Sequence, residues 1–385
     1  MKLPINLTFI LITMSPLLLC APVLANDFFG TVQTSAETSS HQSDSPWTYR
    51  AWLQQKTGYG YRTPAANVNR DQPDLTRTET QFYNQLNWRQ GNWRLRLAGS
   101  LVHDWLPDME RAGLWNGYEF SDQDYDQRRW RIDLSDTYIS WQEGDWWIKG
   151  GYQTLAWGEA ESLKVTDILA RRDQRWPGQD DLENLRLPVP AISISWNNQW
   201  DLVLLAETLP DRQSAAYSEF DPYISLRTGN TATDPVFSFS QDNNPGIALR
   251  WRQSWQGFDA QFMLADIAGY EYLPQSITLQ QNTPPEIHLQ PARQQVAGFG
   301  LQMTRGTWLL RTEQAWHKDA QTLASNPEDL SHTTDQWRSM LGADYTGINN
   351  LTLTGELSWI YSDQTENNQS HWQEGASARA NYTLY

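Results

Sequence analysis

Apolar and polar residues alternate with a period of two through much of this chain. The pattern is plainest over 351–361. There Leu351, Leu353, Gly355, Leu357, Trp359 and Tyr361 share one side, and Thr352, Thr354, Glu356, Ser358 and Ile360 the other. It recurs from Trp93, where Leu95, Leu97 and Leu101 oppose Arg94, Arg96 and Ser100, and from Trp146, where Ile148 and Tyr152 oppose Lys149 and Gln153. Successive side chains of a strand point to opposite faces, so each stretch reads as a β-strand with one apolar and one polar side. One or two such strands fit a soluble sheet. Repetition along the whole chain fits a closed wall, apolar outside and polar inside.

Tryptophan brackets several of the polar links between these stretches. Trp88 and Trp93 flank Arg-Gln-Gly-Asn, Trp141 and Trp146 flank Gln-Glu-Gly-Asp, Trp196 and Trp200 flank Asn-Asn-Gln, and Trp251 and Trp255 flank Arg-Gln-Ser. An indole is apolar but keeps an N–H that needs a partner, so it suits the headgroup layer of a membrane. Link lengths add an independent signal. Short links fall near 89–92, 142–145, 197–199, 252–257, 304–307 and 346–349, and long ones near 58–77, 105–129, 155–189, 209–244, 267–293, 317–334 and 362–371. Short and long alternate strictly, as periplasmic turns and external loops do in outer-membrane barrels. The expected fold is all-β: an antiparallel up-and-down transmembrane β-barrel of about fourteen strands, within roughly 12 to 16. In the last strand, Ser377, Asn381 and Thr383 share the face that Tyr385 would put in lipid. Either that strand is phased differently or the chain is cut short.

The amino-terminus reads as a leader. Lys2 precedes an apolar run from Ile5 to Leu19, and Val23-Leu24-Ala25 offers a cleavage site before Asn26, so residues 1–25 are expected to be a signal peptide. An uncleaved inner-membrane anchor is the alternative, against which stand Pro16, Pro22 and the Val-x-Ala end. Residues 26–46 are polar and aperiodic and read as a disordered lead-in, with the barrel over 47–385. Cys20 lies within the leader and follows Leu19 rather than the small residue a lipoprotein needs. The exported chain is therefore expected to have no thiol, disulfide or cysteine metal site. A net charge of −16 argues against a nucleic-acid partner. The mean hydropathy of −0.65 does not exclude a barrel, since only one face of each strand meets lipid.

The least strand-like long link opens at Trp157-Gly158-Glu159-Ala160-Glu161. Leu163, Val165, Ile168 and Leu169 then fall at helical spacing, followed by Arg171, Arg172 and Arg175, an acidic patch of Asp180, Asp181 and Glu183, and Leu187-Pro188-Val189-Pro190. These residues predict a short amphipathic helix with a charged clasp. Its apolar side needs cover, so the segment is expected to fold into the barrel and narrow its lumen. An external loop packed on its neighbours is the alternative.

The runs Gly151-Tyr152-Gln153-Thr154-Leu155-Ala156-Trp157-Gly158-Glu159, Val165-Thr166-Asp167, Arg172-Asp173, Asp180-Asp181-Leu182-Glu183 and Leu187-Pro188-Val189-Pro190 carry a resemblance. The chain resembles a proteobacterial outer-membrane barrel family catalogued as domain of unknown function 1302. The likeness is specific in this stretch and elsewhere rests on strand pattern. Members are often longer, which bears on the question of truncation. The resemblance implies an outer-membrane barrel that works beside exporters of hydrophobic or amphipathic compounds, and it implies no catalytic residues.

Other chemistry is sparse. His41, His103, His288, His317, His332 and His371 lack metal-ligand spacing. His103-Asp104 sits where a strand meets a long link, as in a rim hydrolase, or as an ordinary rim hydrogen bond. Asp122, Asp124 and Asp126 alternate but lack the glycine and closing glutamate of a calcium loop. No metal or other cofactor is expected. The inward face carries Arg50, Arg94, Arg96, Lys149, Arg250, Arg252, Arg311 and Arg338, against Asp133, Asp259, Glu313, Asp344 and Glu356. This basic wall would attract anionic solutes or an anionic partner. Alternatively its cations pair with acids of the long segment such as Glu159, Glu161, Asp180 and Asp181. Three functions stay open: a channel or transporter for small amphipathic or anionic molecules, a structural or adaptor barrel for a periplasmic exporter component, and a rim-site hydrolase. The first is favoured, with outer-membrane lipid and a small-molecule solute as its partners and no enzyme activity.

Overall fold

The computed structural model describes residues 45–59, 75–114, 122–160, 163–176, 180, 185–207, 209–214, 220–221, 223, 234–240, 242–279, 284–323, 330–363 and 371–382. The expectations for 1–25 and for nearly all of 26–46 lie outside them. In chain order the first elements are β1 (Trp47–Tyr59), β2 (Leu75–Gln90), β3 (Trp93–Asp104), α1 (Leu106–Arg111), α2 (Asp122–Arg129), β4 (Trp130–Leu134), β5 (Thr137–Glu143) and β6 (Trp146–Gln153). Next come β7 (Arg171–Arg172), β8 (Arg186–Leu187), β9 (Val189–Trp196), β10 (Trp200–Leu205), β11 (Val236–Phe239), β12 (Gly246–Trp255) and β13 (Phe258–Ala268). The last are β14 (Leu273–Thr278), β15 (Glu286–Gln290), β16 (Arg293–Arg305), β17 (Trp308–Leu323), β18 (Ser331–Ile348), β19 (Leu351–Ser362) and β20 (His371–Tyr382).

Fourteen strands follow one another in a single antiparallel path, β1-β2-β3-β5-β6-β9-β10-β12-β13-β16-β17-β18-β19-β20, with β4 paired to β3 beyond the end of β5. Within this path each strand neighbours the next, joined by the short and long links read from the sequence, while β7 and β8 form a separate pair and β11, β15 and β14 a separate three-stranded sheet. The short turns use left-handed backbone where a two- or three-residue reversal needs it, as at Gly91 and Gly144, with φ of 55° each, and at Asn197 and Asn198. The expected closed barrel is not what is seen, because β1 and β20 end the path and are not bonded to each other. Among the described residues β20 pairs with β19 alone, and it turns three alanines, Ala376, Ala378 and Ala380, to one face. Ser377 and Asn381 oppose Glu356 and Thr352, so the last strand is phased with its polar residues on the shared inner face.

The sheet is two-faced. On β19, Thr354, Glu356 and Ser358 are buried while Leu353 and Leu357 are exposed. Leu53, Leu101, Ile132, Ile148, Phe262 and Leu264 repeat the exposed pattern. The tryptophans align in register: Trp146 opposes Trp196, Trp196 opposes Trp200 and Trp200 opposes Trp251. This makes a belt at the short-turn end of the outward face. The other face is concave. Contacts from one segment, residues 154–187, reach β1 and β2 near one end of the path and β17 and β18 near the other.

Candidate functional site

The described residues of 154–187 enter the concavity as irregular backbone apart from the paired β7 and β8, and the expected helix is absent among them. The apolar positions are nevertheless buried as expected. Leu155, Trp157, Ala160, Val165, Ile168 and Leu169 share one cluster with Val203, Leu205, Met263, Ile267, Val296, Ala315 and Met340 of the wall. The helix is lost because wall side chains take the backbone groups that a helix would use. Glu313 accepts from the N–H groups of Glu159, Ala160 and Thr166, and from the Thr166 hydroxyl at 2.7 Å. His317 Nε2 lies 2.9 Å from the Val165 carbonyl. Arg311 donates to the Glu159 carbonyl at 2.7 Å, Arg338 to that of Lys164 at 3.1 Å, and Gln261 to that of Trp157 at 2.6 Å. Gly158 permits a close fold within the segment, since a Cβ there would meet the Asp167 nitrogen at 2.5 Å.

The opposite flank of the segment is ionic. Asp180 pairs with Lys56 of β1 at 2.9 Å and with Arg77 of β2 at 2.8 Å. Arg77 and Arg131 hold Glu79 at 2.8 and 2.7 Å, and Arg131 also holds Asp133 at 2.9 Å. Arg175 grips Asp173 at 2.5 Å and reaches Asp133 at 3.8 Å, while Arg212 meets Asp133 at 2.7 Å. Burial opposes the charge on Asp173, but the Arg175 fork and nearby Arg212 outweigh it and hold its carboxyl at about 2. Arg172 and Arg186 both bind Asp167, at 3.3 and 3.0 Å. Arg171 donates to the Pro210 carbonyl, and burial and Arg212 lower its pKa. Thus Arg171, Arg172 and Arg175 are engaged rather than free. Glu161, Asp181 and Glu183 lie outside the described residues.

The basic wall divides. Arg250 pairs with Asp201 at 2.8 Å and lies 4.8 Å from the Trp157 ring; Arg252 reaches the same Asp201 at 3.6 Å. Arg311 pairs with Asp344 at 3.0 Å. These carboxylates belong to the wall; among the described residues, Arg311 meets the segment at the Glu159 carbonyl, and Asp180 pairs with Lys56 and Arg77 rather than with the cations expected from the sequence. Arg94 and Arg96 instead donate to Gln142 and Gln85, each at 3.2 Å, and Lys149 sits over the rings of Tyr138 and Trp147.

A family model described as a protein of unknown function, DUF1302, matches residues 32–384. The chain belongs to this family. No curated protein matches it. Among solved structures, Salmonella typhi OmpF in complex with daunomycin is similar at 9% identity over 88% of this chain and 86% of that one, with a TM-score of 0.48. The in-vitro folded outer-membrane protein OmpT of Vibrio cholerae is similar at 7% identity over 89% and 84%, with a TM-score of 0.44. The outer-membrane channel DcaP of Acinetobacter baumannii is similar at 9% over 89% and 99%, with a TM-score of 0.38.

At the rim of this DUF1302 member, His103 has an acidic partner and two aromatic neighbours. His103 pairs with Asp108 at 3.0 Å, not with Asp104, and lies between Trp105 and Trp130 at ring distances of 4.4 and 4.2 Å. Tyr125 and Arg129 also bind Asp108. Asp122 lies on α2 and pairs with Arg111 at 2.6 Å. No group of acids and histidines fit to hold a metal ion occurs among the described residues. Sequence reasoning missed Lys56, Arg77, Glu79, Arg131, Asp201, Arg212 and Asp211, which accepts from Lys164 at 2.8 Å. A signal existed for some of them: Arg77-x-Glu79 and Arg131-x-Asp133 place opposite charges two apart, on one side of a strand.

Proposed function

We propose that this protein is an outer-membrane channel or transporter of a Gram-negative bacterium, exported through a cleaved leader. It passes small amphipathic or anionic molecules through a lumen narrowed by residues 154–187. The observation that carries this reading is the segment itself. It lies in the concavity of a two-faced sheet, gripped from both flanks, while basic side chains on β3 and β6 have no carboxylate partner among the described residues. Apolar residues on the outward face and an indole belt suit lipid and headgroups. Free strand edges are excluded from hydrocarbon, so insertion requires β1 and β20 to pair. A periplasmic exporter component is a candidate partner.

Purified protein in a planar bilayer tests the reading, and it falls if folded protein produces no conductance. Membrane insertion has its own check. A cation on the lipid side at mid-depth costs on the order of 2–4 kcal/mol, so Leu353→Arg should impair assembly far more than Thr352→Arg, read from the difference in gel migration between boiled and unboiled samples.

A further inference from the structure

The short-turn end of the concave face holds cations that the rest of the wall does not neutralise. Arg50, Arg89, Arg94, Arg96 and Lys149 form no ion pair among the described residues, whereas Arg250 and Arg252 share Asp201. Strand register brings them together. Arg94 directly opposes Arg89 on β2 and Ser140 on β5, and Ser140 opposes Lys149 on β6. Arg96 opposes Asn87 and Tyr138, and Arg50 opposes Gln85. Like charges directly opposite each other destabilise a sheet, so stability alone does not favour the Arg89–Arg94 pair. Two donors nearby are buried without a partner, Arg96 Nε and Trp147 Nε1. The Lys149 ammonium lies 4.5 Å from the Tyr138 ring and 4.4 Å from the Trp147 ring. A cavity of about 600 Å³ opens here, lined by Thr48, Asn87, Arg89, Arg94, Arg96 and Tyr138 among others, and none of the described residues of the 154–187 segment lines it.

We infer that this corner recognises the carboxylate of a small organic acid with a flat apolar body. The inference rests on the channel reading and names the solute class for it. Guanidinium forks match a carboxylate in two-pronged geometry. Tyr138 offers a ring edge for the body of the acid, with Lys149 and Trp147 behind it. A volume of this order suits a single small ligand. On the β9–β18 side, Val165, Ile168 and Leu169 pack against Met263, Ile267, Val296 and Met340. That flank is filled by apolar packing, whereas the cavity lies against the arginines.

Titration calorimetry on the full chain in detergent tests this, with benzoate as the probe and inorganic phosphate as the second arm. Benzoate should bind, and the double variant Arg94→Gln with Arg96→Gln should weaken it about tenfold or more, as expected on losing charge-assisted bonds. Arg305→Gln removes one such charge beside another short turn, outside the cavity, and should bind like wild type, as Arg94→Gln alone should not. Arg94→Lys with Arg96→Lys keeps the charge without the fork and should fall between wild type and the glutamine pair. It also serves should the glutamine pair fail to assemble. Absence of benzoate binding, equal binding by the arginine variants, or tighter binding of phosphate than of benzoate would overturn the assignment. Bilayer recordings separate the two readings. Conductance without benzoate binding sinks the site and spares the channel; binding through Arg94 and Arg96 without conductance does the reverse.

Discussion

Glu313 and Glu79 are both buried carboxylates on the concave face, and they are satisfied in opposite ways. Glu313 on β17 accepts hydrogen bonds from backbone N–H groups and one hydroxyl of the 154–187 segment. Glu79 on β2 is held by two guanidinium groups, Arg77 and Arg131. The same contrast extends to the whole flanks. Toward β13–β18 the segment is fixed by apolar packing and bonds to its own backbone, which salt barely touches. Toward β1–β4 it is fixed by ion pairs, whose strength depends on screening and protonation. The segment is thus clamped on one side and tethered electrostatically on the other.

The largest effect should come from removing the segment. Deletion of residues 159–183 with β6 and β9 kept should leave an assembled protein with several-fold higher conductance in planar bilayers. Wild-type conductance in an assembled deletion variant would show that the segment lies outside the conducting path.

Breaking the clamp comes next. Glu313→Leu strands three N–H donors, and each buried unpaired group costs about 1–3 kcal/mol. Amide exchange at Glu159, Ala160 and Thr166 should accelerate strongly in mass spectrometry, while exchange near Asp173 changes little. Uniform acceleration along the segment would mean that the two flanks are one cooperative unit.

Acid should loosen the tether alone. Asp173 titrates at about 2 in the folded chain against a reference value of 3.8. A depressed carboxyl stabilises the fold fully above its reference value and loses that contribution as pH falls toward the folded one. Below about pH 4, exchange over 171–176 should therefore rise while that over 159–169 does not. The shift corresponds to a contribution on the order of 2 kcal/mol. Asp173→Asn at neutral pH should mimic the effect, and an exchange profile that ignores both changes would contradict the ionic tether.

The smallest effect should come from salt. At about 1 M the screening length is near 3 Å, and the half-covered pairs of Lys56 and Arg212 should weaken first. A modest, local rise in exchange at Arg172 to Arg175, with none at Thr166, is the expected result. A larger change at Thr166 would reverse the comparison.

Much of this was legible in the chain. The two-residue period placed Glu313, Arg311 and Arg338 on the inner face, and the lengths of the links set the order of neighbours. The apolar positions Val165, Ile168 and Leu169 were correctly expected to seek cover, but their spacing predicted a helix. That failed because helical spacing reports only which side chains are buried together. It does not say whether Glu313 and His317, some 150 residues away, will take the N–H and C=O groups first. The fate of the basic wall was also hidden. Arg250 and Arg94 read alike in sequence, and only strand register decides that one faces Asp201 while the other faces Arg89 and Ser140.

The sequence by itself determined the strands of the main path, their antiparallel succession and which face each presents, because alternation is a local property of side-chain direction; the short strands β7, β8, β11, β14 and β15 lie inside links and carried no such signal. Tertiary structure alone decided which charges neutralise each other, how the segment's backbone is satisfied and where cations remain uncovered. Those outcomes depend on contacts between residues far apart in the chain, and in a poorly hydrated interior a few ångströms separate a paired charge from an available one.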